Sequence, residues 1–141
     1  LRGPSNTAYK IEHVRQSIIL RRITRPKARV AVYCAGVLPY FSGRDMIDFL
    51  GKNDKVIARQ KSHESTMNGK SIDFRPGHTK WDLAYSIGRL QPDVVTELWG
   101  LPGEADPYLK KNYKKVVIDG FTFYLRRGSE SVAWEEARRY L

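Results

Sequence analysis

The sequence predicts an α/β fold, a single three-layer-like domain. It should have a mixed, mostly parallel sheet of about five strands, with crossover helices and a C-terminal antiparallel hairpin. Three observations carry this reading. Stretches with helical spacing alternate with short runs rich in Val, Ile and Tyr. The last two runs, Lys115–Asp119 and Phe121–Arg127, meet at Gly120 as a hairpin does. The chain has 141 residues, the size of one ordinary domain. We divide it into an N-terminal basic amphipathic helix, residues 1–26, and a body of sheet and helices, residues 27–141.

The elements follow in order. Thr7 to Ile23 has apolar residues at Ile11, Val14, Ile18 and Ile19, with Leu20 and Ile23 behind. Ser5 or Asn6 offers a cap, Pro26 stands beyond the end, and Lys10, Arg15, Arg21 and Arg22 make the other face basic. Ala28–Ala35 reads as a buried strand. Val37–Gly43, with Pro39 and flanking glycines, reads as a short helix or turn, and Asp45–Leu50 as a second strand. Asn53 or Asp54 caps a helix through Val56–Arg59. Lys61 to Gly77 is a long polar loop, and a helix from about Lys80 to Leu90 packs through Trp81, Ala84, Tyr85 and Ile87. Val94–Trp99 is a third strand, and Pro107–Lys111 forms one or two helical turns. After the hairpin, Ser129 or Ser131 caps a last helix, Val132–Tyr140.

A chain that is 41% hydrophobic and 11% aromatic can bury a core, which excludes general disorder. Lys and Arg number 25 against 15 acidic residues, so the formal charge of +10 calls for a polyanionic neighbour. The single cysteine, Cys34, excludes an internal disulfide. No apolar run reaches the roughly 18 residues a membrane span needs. The opening Leu1-Arg2-Gly3-Pro4, without an initiator Met, reads as a piece of something longer, either a domain cut from a membrane protein or a processed chain.

Several clusters bear on function. Gly36–Arg44 follows the first strand, where open sheets of this class hold ligands, but its glycine spacing fits neither the dinucleotide nor the P-loop pattern. The plainer account is a tight connection with Tyr40 and Phe41 in the core. Asp54 reads as a helix cap, while Asp48, between Ile47 and Phe49, needs a partner if buried, and Arg44 or Arg59 is available. In Gly77-His78-Thr79-Lys80-Trp81-Asp82, His78 at a helix N-terminus with Lys80 could hold an anion, or His78, Lys80 and Asp82 could form a polar network. No paired Cys and no His-Glu-x-x-His string is present, so no metal is assigned, and no cofactor either. A Cys34–His78 nucleophile pair would need the thiol outside its apolar strand, and a deaminase or nuclease built on Asp73, Glu97 and a nearby Lys lacks the spacing it requires. The basic residues are scattered doublets without a recognition element, which counts against nucleic acid and favours a phospholipid headgroup layer.

Taken together, Gly36-x-Leu38-Pro39-Tyr40-Phe41-Ser42-Gly43-Arg44, Ile47-Asp48-x-Leu50-Gly51-x-Asn53-Asp54-x-x-Ile57-Ala58-Arg59, Pro76-Gly77-His78-x-Lys80-x-Asp82 and Pro92-Asp93-Val94-Val95 resemble a known family. They are similar to the soluble C-terminal extracytoplasmic domain of bacterial polytopic GT-C-type glycosyltransferases, the arabinofuranosyltransferase- and mannosyltransferase-like membrane proteins. The resemblance covers about residues 28 to 96, and Lys52 departs from it where relatives more often carry an apolar residue. It implies a parent enzyme that uses a polyprenyl-phosphate sugar donor at the outer face of the cytoplasmic membrane. This domain would bind or position the glycan acceptor, or support the membrane active site. The partners it implies are the transmembrane part of the same chain, an envelope glycan and an anionic lipid surface. No catalytic residue is carried over. Tyr40, Ser42, Arg44, Asp48, Asn53, Asp54, Arg59, His78, Lys80 and Asp82 are carried over as substrate-binding candidates, with Tyr40, Trp81 or Trp99 as aromatic contacts to sugar. The alternatives are a nucleic-acid-binding or processing domain and a small-molecule enzyme with its site between Gly36–Gly43 and His78.

Overall fold

Helix α1, Thr7–Ile23, has the expected bounds but turns a different face inward. Ile19, Leu20 and Ile23 are buried together with His13, Gln16, Ser17 and the following Thr24, whereas Ile11 and Ile18 are 56% and 53% exposed. The orientation is set by anchors in the second half of the helix. Ser17 Oγ reaches the Leu38 carbonyl at 3.5 Å, Thr24 bridges to Val132, and Leu20 and Ile23 enter the core. The coordinates are a computed structural model that describes residues 7–33, 35–63, 66–67, 70–71, 77–98 and 102–141. Ser5, Asn6, Cys34, Asp73, Pro76 and Trp99 lie outside these.

After α1 come β1 (Arg29–Val32), α2 (Val37–Ser42), β2 (Asp45–Asp48) and α3 (Lys55–Ala58). Thr66–Met67 (β3) and Lys70–Ser71 (β4) pair as a small antiparallel ribbon inside the expected long loop. A π-helix, Ala84–Arg89, precedes β5 (Val94–Val95) and α4 (Pro102–Asn112). The hairpin β6 (Tyr113–Ile118) and β7 (Phe121–Arg126), α5 (Trp134–Ala137) and a 3-10 turn, Arg138–Tyr140, close the chain.

Five strands form one open mixed sheet in the order β2-β1-β5-β7-β6. β1 runs parallel to both β2 and β5, while β5–β7 and β7–β6 are antiparallel. The expected mostly parallel sheet is therefore corrected, since more residues pair antiparallel. The hairpin turn Asp119-Gly120, both at positive φ, lets β6 and β7 pair along their full lengths, whereas β5 offers only two residues to β1.

Alternation along β1 divides the core. Val30 and Val32 join Leu20 and Ile23 of α1, Leu38 of α2 and Ala137 of α5. Ala31 belongs to a second cluster with Trp81, Ile87 and Leu109. That side departs twice from expectation. The helix expected from Lys80 begins near Leu83 and winds with an i→i+5 bond from Leu90 N–H to the Tyr85 carbonyl, so Ser86 and Ile87 turn inward and Ala84 outward. Gly88 lies under the Tyr108 ring, where a Cβ would come within 3.0 Å of Cδ1, so this glycine sets how closely α4 approaches. α4 itself is longer than expected and runs through Pro107, because Ala105 and Leu109 are held in the core on either side of the proline. At the C-terminus neither Ser129 nor Ser131 caps α5, which starts from Ala133 without a side-chain cap.

Candidate functional site

Most of the residues carried over from the resemblance are engaged in holding turns and helix ends. Arg44 closes the C-terminus of α1: its Nε donates to Thr24 Oγ1 at 2.9 Å and its Nη2 to the Thr24 and Arg21 carbonyls at 2.9 and 3.3 Å. Burial, with Arg21 nearby, lowers its pKa from the ordinary arginine value. Ser42 Oγ accepts from the Arg44 N–H. Asp48 is buried and finds neither Arg44 nor Arg59. Its Oδ1 accepts from the Leu50 N–H at 2.9 Å and its Oδ2 from the Asn53 N–H at 2.8 Å, which folds the turn after β2. Asp54 caps α3 through the N–H groups of Val56 and Ile57, as its sequence context predicts.

His78, Lys80 and Asp82 do not form the expected network with one another. His78 lies in the turn before the π-helix rather than at its N-terminus, with its Nε2 3.4 Å from Lys52 Nζ. Lys80 Nζ donates to the Ala58 carbonyl at 2.6 Å. Asp82 accepts from Gln60 Nε2 at 2.9 Å and, with its other oxygen, from the Tyr85 N–H at 2.8 Å. Trp81 is buried, stacked on His63 at 4.0 Å, and donates to Glu104. Asn53 and Arg59 are exposed. Tyr40 and Phe41 do not enter the core: Tyr40 is 81% exposed, and the two rings meet edge-on at 5.0 Å.

A buried hub that residue-by-residue reading misses sits at the amino end of β5. Asp93 Oδ1 accepts from Arg126 Nη2 and Ser129 Oγ, both at 2.6 Å, and Oδ2 accepts from the Arg29 N–H at 2.9 Å. Burial opposes its ionisation, but the bonds from Arg29, Ser129 and Arg126 outweigh it and hold the carboxyl below its ordinary pKa. Next to it, Tyr113 donates to the Pro92 carbonyl, and burial pushes its phenol well above the usual range.

The carboxyl end of the same strand is different. There a cleft of ≈ 700 Å³ opens between the first half of α1, the residues after β5 and the tip of the β6–β7 hairpin. Glu12, Arg15 and Gln16 line it from α1, Glu97 and Leu98 from the end of β5. Asp119, Thr122 and Tyr124 line it from the hairpin, and burial together with nearby Asp106 raises the Tyr124 pKa. The cleft lies on the hairpin side of β5, where the start of β7 pairs with that strand's carboxyl end. No ion pair or hydrogen bond engages the Glu12, Arg15, Glu97 or Asp119 side chain among the described residues. A second hollow of ≈ 530 Å³ beside Trp81 contains Asp82, but Gln60 and Asp82 bond each other there, as do Trp81 and Glu104. Among the described residues, no group of three His, Cys, Asp or Glu side chains could hold a metal ion.

Fold and cleft together define an open-sheet α/β domain with a polar cleft beside the carboxyl end of β5 and a basic remainder. The chain belongs to the family described as Domain of unknown function (DUF8728), which matches residues 6–136. No curated protein and no solved structure matches it.

Proposed function

We propose that this is the extracytoplasmic domain of a bacterial membrane glycosyltransferase that draws on a polyprenyl-phosphate sugar donor. In this reading the domain positions the glycan acceptor or supports the membrane-embedded active site, and catalysis belongs to the parent's membrane part. The buried clusters on the two sides of β1 support the finer, three-layer reading of the fold.

The observation that carries the proposal is the outward surface of α1 and α2. Ile11 and Ile18 lie one heptad apart on α1, with Arg15 and Arg22 in the same rows and Arg21 beside them, all exposed. α2 packs against α1 and presents Tyr40 and Phe41 outward. Apolar and aromatic groups set among arginines suit an anionic headgroup layer, where the rings and aliphatic chains enter the interface and the guanidinium groups meet phosphate. No helix among the described residues is long and apolar enough to cross a membrane, so this surface would lie on the bilayer rather than in it.

Co-sedimentation with vesicles tests the reading. The chain should bind vesicles containing phosphatidylglycerol and pass over purely zwitterionic ones, and binding should fall with Ile18→Ser, Tyr40→Ser or Arg22→Gln. Equal retention by both vesicle types, or tighter and steeply salt-dependent binding to duplex DNA, would favour a nucleic-acid function instead.

A further inference from the structure

We propose that the cleft at the carboxyl end of β5 binds a polyhydroxylated ligand without net negative charge, a neutral or amine-bearing glycan. The inference deepens the acceptor-binding half of the function proposed above. Apart from Arg15, which borders both, it rests on different residues from the α1–α2 surface, and the two are tested by different variants and can fail separately.

The first argument is an almost buried side chain at the cleft wall whose amide has no partner among the described residues. Gln16 is only 3% exposed, yet no hydrogen bond engages its side-chain amide among the described residues. Its amide can donate and accept at once, as recognition of a hydroxyl group requires.

The second argument is charge. Three carboxylates, Glu12, Glu97 and Asp119, face the cleft against one guanidinium, Arg15. This is a local excess of negative charge on a chain of formal charge +10. Phosphate- or carboxylate-bearing ligands would be repelled here, although the rest of the surface attracts them. Carboxylates accept from hydroxyl or ammonium donors, Arg15 donates to ring or hydroxyl oxygens, and the Tyr124 ring adds an apolar wall. A volume of ≈ 700 Å³ falls within the usual range of about 300–1,000 Å³ for small-ligand sites. The carboxylates do not converge closely enough for a metal ion, which leaves their oxygens for a ligand's hydroxyl groups.

Titration of the 141-residue chain followed by amide NMR gives the test. The probes are a neutral mannose tetrasaccharide, a neutral arabinofuranose tetrasaccharide, a glucosamine tetrasaccharide and mannose 6-phosphate. At least one of the first three should shift the amides of Gly120, Thr122 and Gln16, and mannose 6-phosphate should not. Glu97→Gln removes one exposed charged acceptor and should weaken that binding about tenfold at unchanged melting temperature. Gln16→Leu should abolish the binding, and Glu97→Gln decides the matter if the Leu variant does not fold. Three outcomes overturn the proposal: no cleft shifts with any of the three sugars, shifts indifferent to Glu97→Gln, or tighter binding of the phosphorylated sugar. Vesicle binding that survives such a result would leave the membrane reading standing without this site.

Discussion

Replacing Asp93 by Asn keeps the shape of the side chain and removes its charge. The carboxylate receives three donors: the Arg126 guanidinium and Ser129 hydroxyl at 2.6 Å, and the Arg29 N–H at 2.9 Å. In the Asp93→Asn variant one acceptor oxygen becomes an NH₂ group, so donor faces donor on one side and Arg126 loses its counter-charge. Breaking a buried ion pair by removing one partner costs about 3–5 kcal/mol. The low end applies here, because the Arg126 side chain is 32% exposed and water relieves part of the loss. A cost of about 3 kcal/mol corresponds to a melting temperature lower by about 10 °C for a chain of this size. Urea titration and thermal melts at neutral pH measure it. The pH dependence has a definite sign. The folded-state pKa of Asp93 lies below its ordinary value of 3.8, so its stabilisation is fully present above that value and is lost as pH falls through the folded pKa. The gap between wild type and Asp93→Asn should therefore be constant near neutrality and shrink below about pH 4. A neutral-pH difference under about 1 kcal/mol, or a gap that grows in acid, would refute this account of the hub.

Other substitutions separate local causes. Asp54→Ala should cost about 1 kcal/mol in urea denaturation by uncapping α3. Gly51→Ala should cost more than Gly43→Ala, although both glycines have positive φ. An added Cβ at Gly51 meets the Ala58 nitrogen and Ile57 Cβ at 2.8 Å, while Gly43 faces open space, and the open site should cost only about 1–2 kcal/mol. Arg44→Lys should melt below wild type, since one ammonium cannot span the Thr24 hydroxyl and the Arg21 and Thr24 carbonyls. Tyr40→Ser should leave stability within about 0.5 kcal/mol, which makes it a clean variant for vesicle binding.

The bounds of α1, the strand–helix–strand beginning, the Asp54 cap and the final hairpin are all legible in the sequence, because each depends on neighbours within a few positions. The inward face of α1 is not. Ile11, Val14 and Ile18 form as good a stripe as Ile19 and Ile23, and the contacts of Ser17, Thr24 and Leu20 with Leu38, Val132 and the core decide between them. Pro107 hides α4 for a similar reason: the local rule against proline yields to core contacts on both sides. Residue type alone marks Asp48 and Asp82 as candidates, but their partners are mostly nearby backbone N–H groups. The expectation of a site after the first strand falls on residues 36–44, none of which lines the cleft. The cleft itself draws on residues 12–16, 97–98 and 119–124, three segments with no shared motif and only an unusual density of acids in a basic chain to mark them.

Among the described residues, the strand order leaves β6 on the rim of the sheet, with only β7 beside it. An uncovered strand offers its backbone N–H and carbonyl groups to any passing extended chain, and the Tyr113-Lys114-Lys115-Val116-Val117-Ile118 stretch would otherwise be well suited to stack edge to edge. Lys114 and Lys115 are both exposed, and in a strand consecutive side chains project to opposite faces, so a second copy arriving at this rim meets like charge from either side. Part of the positive charge that calls for an anionic partner thus also acts against self-association, holding copies of the molecule apart at this edge.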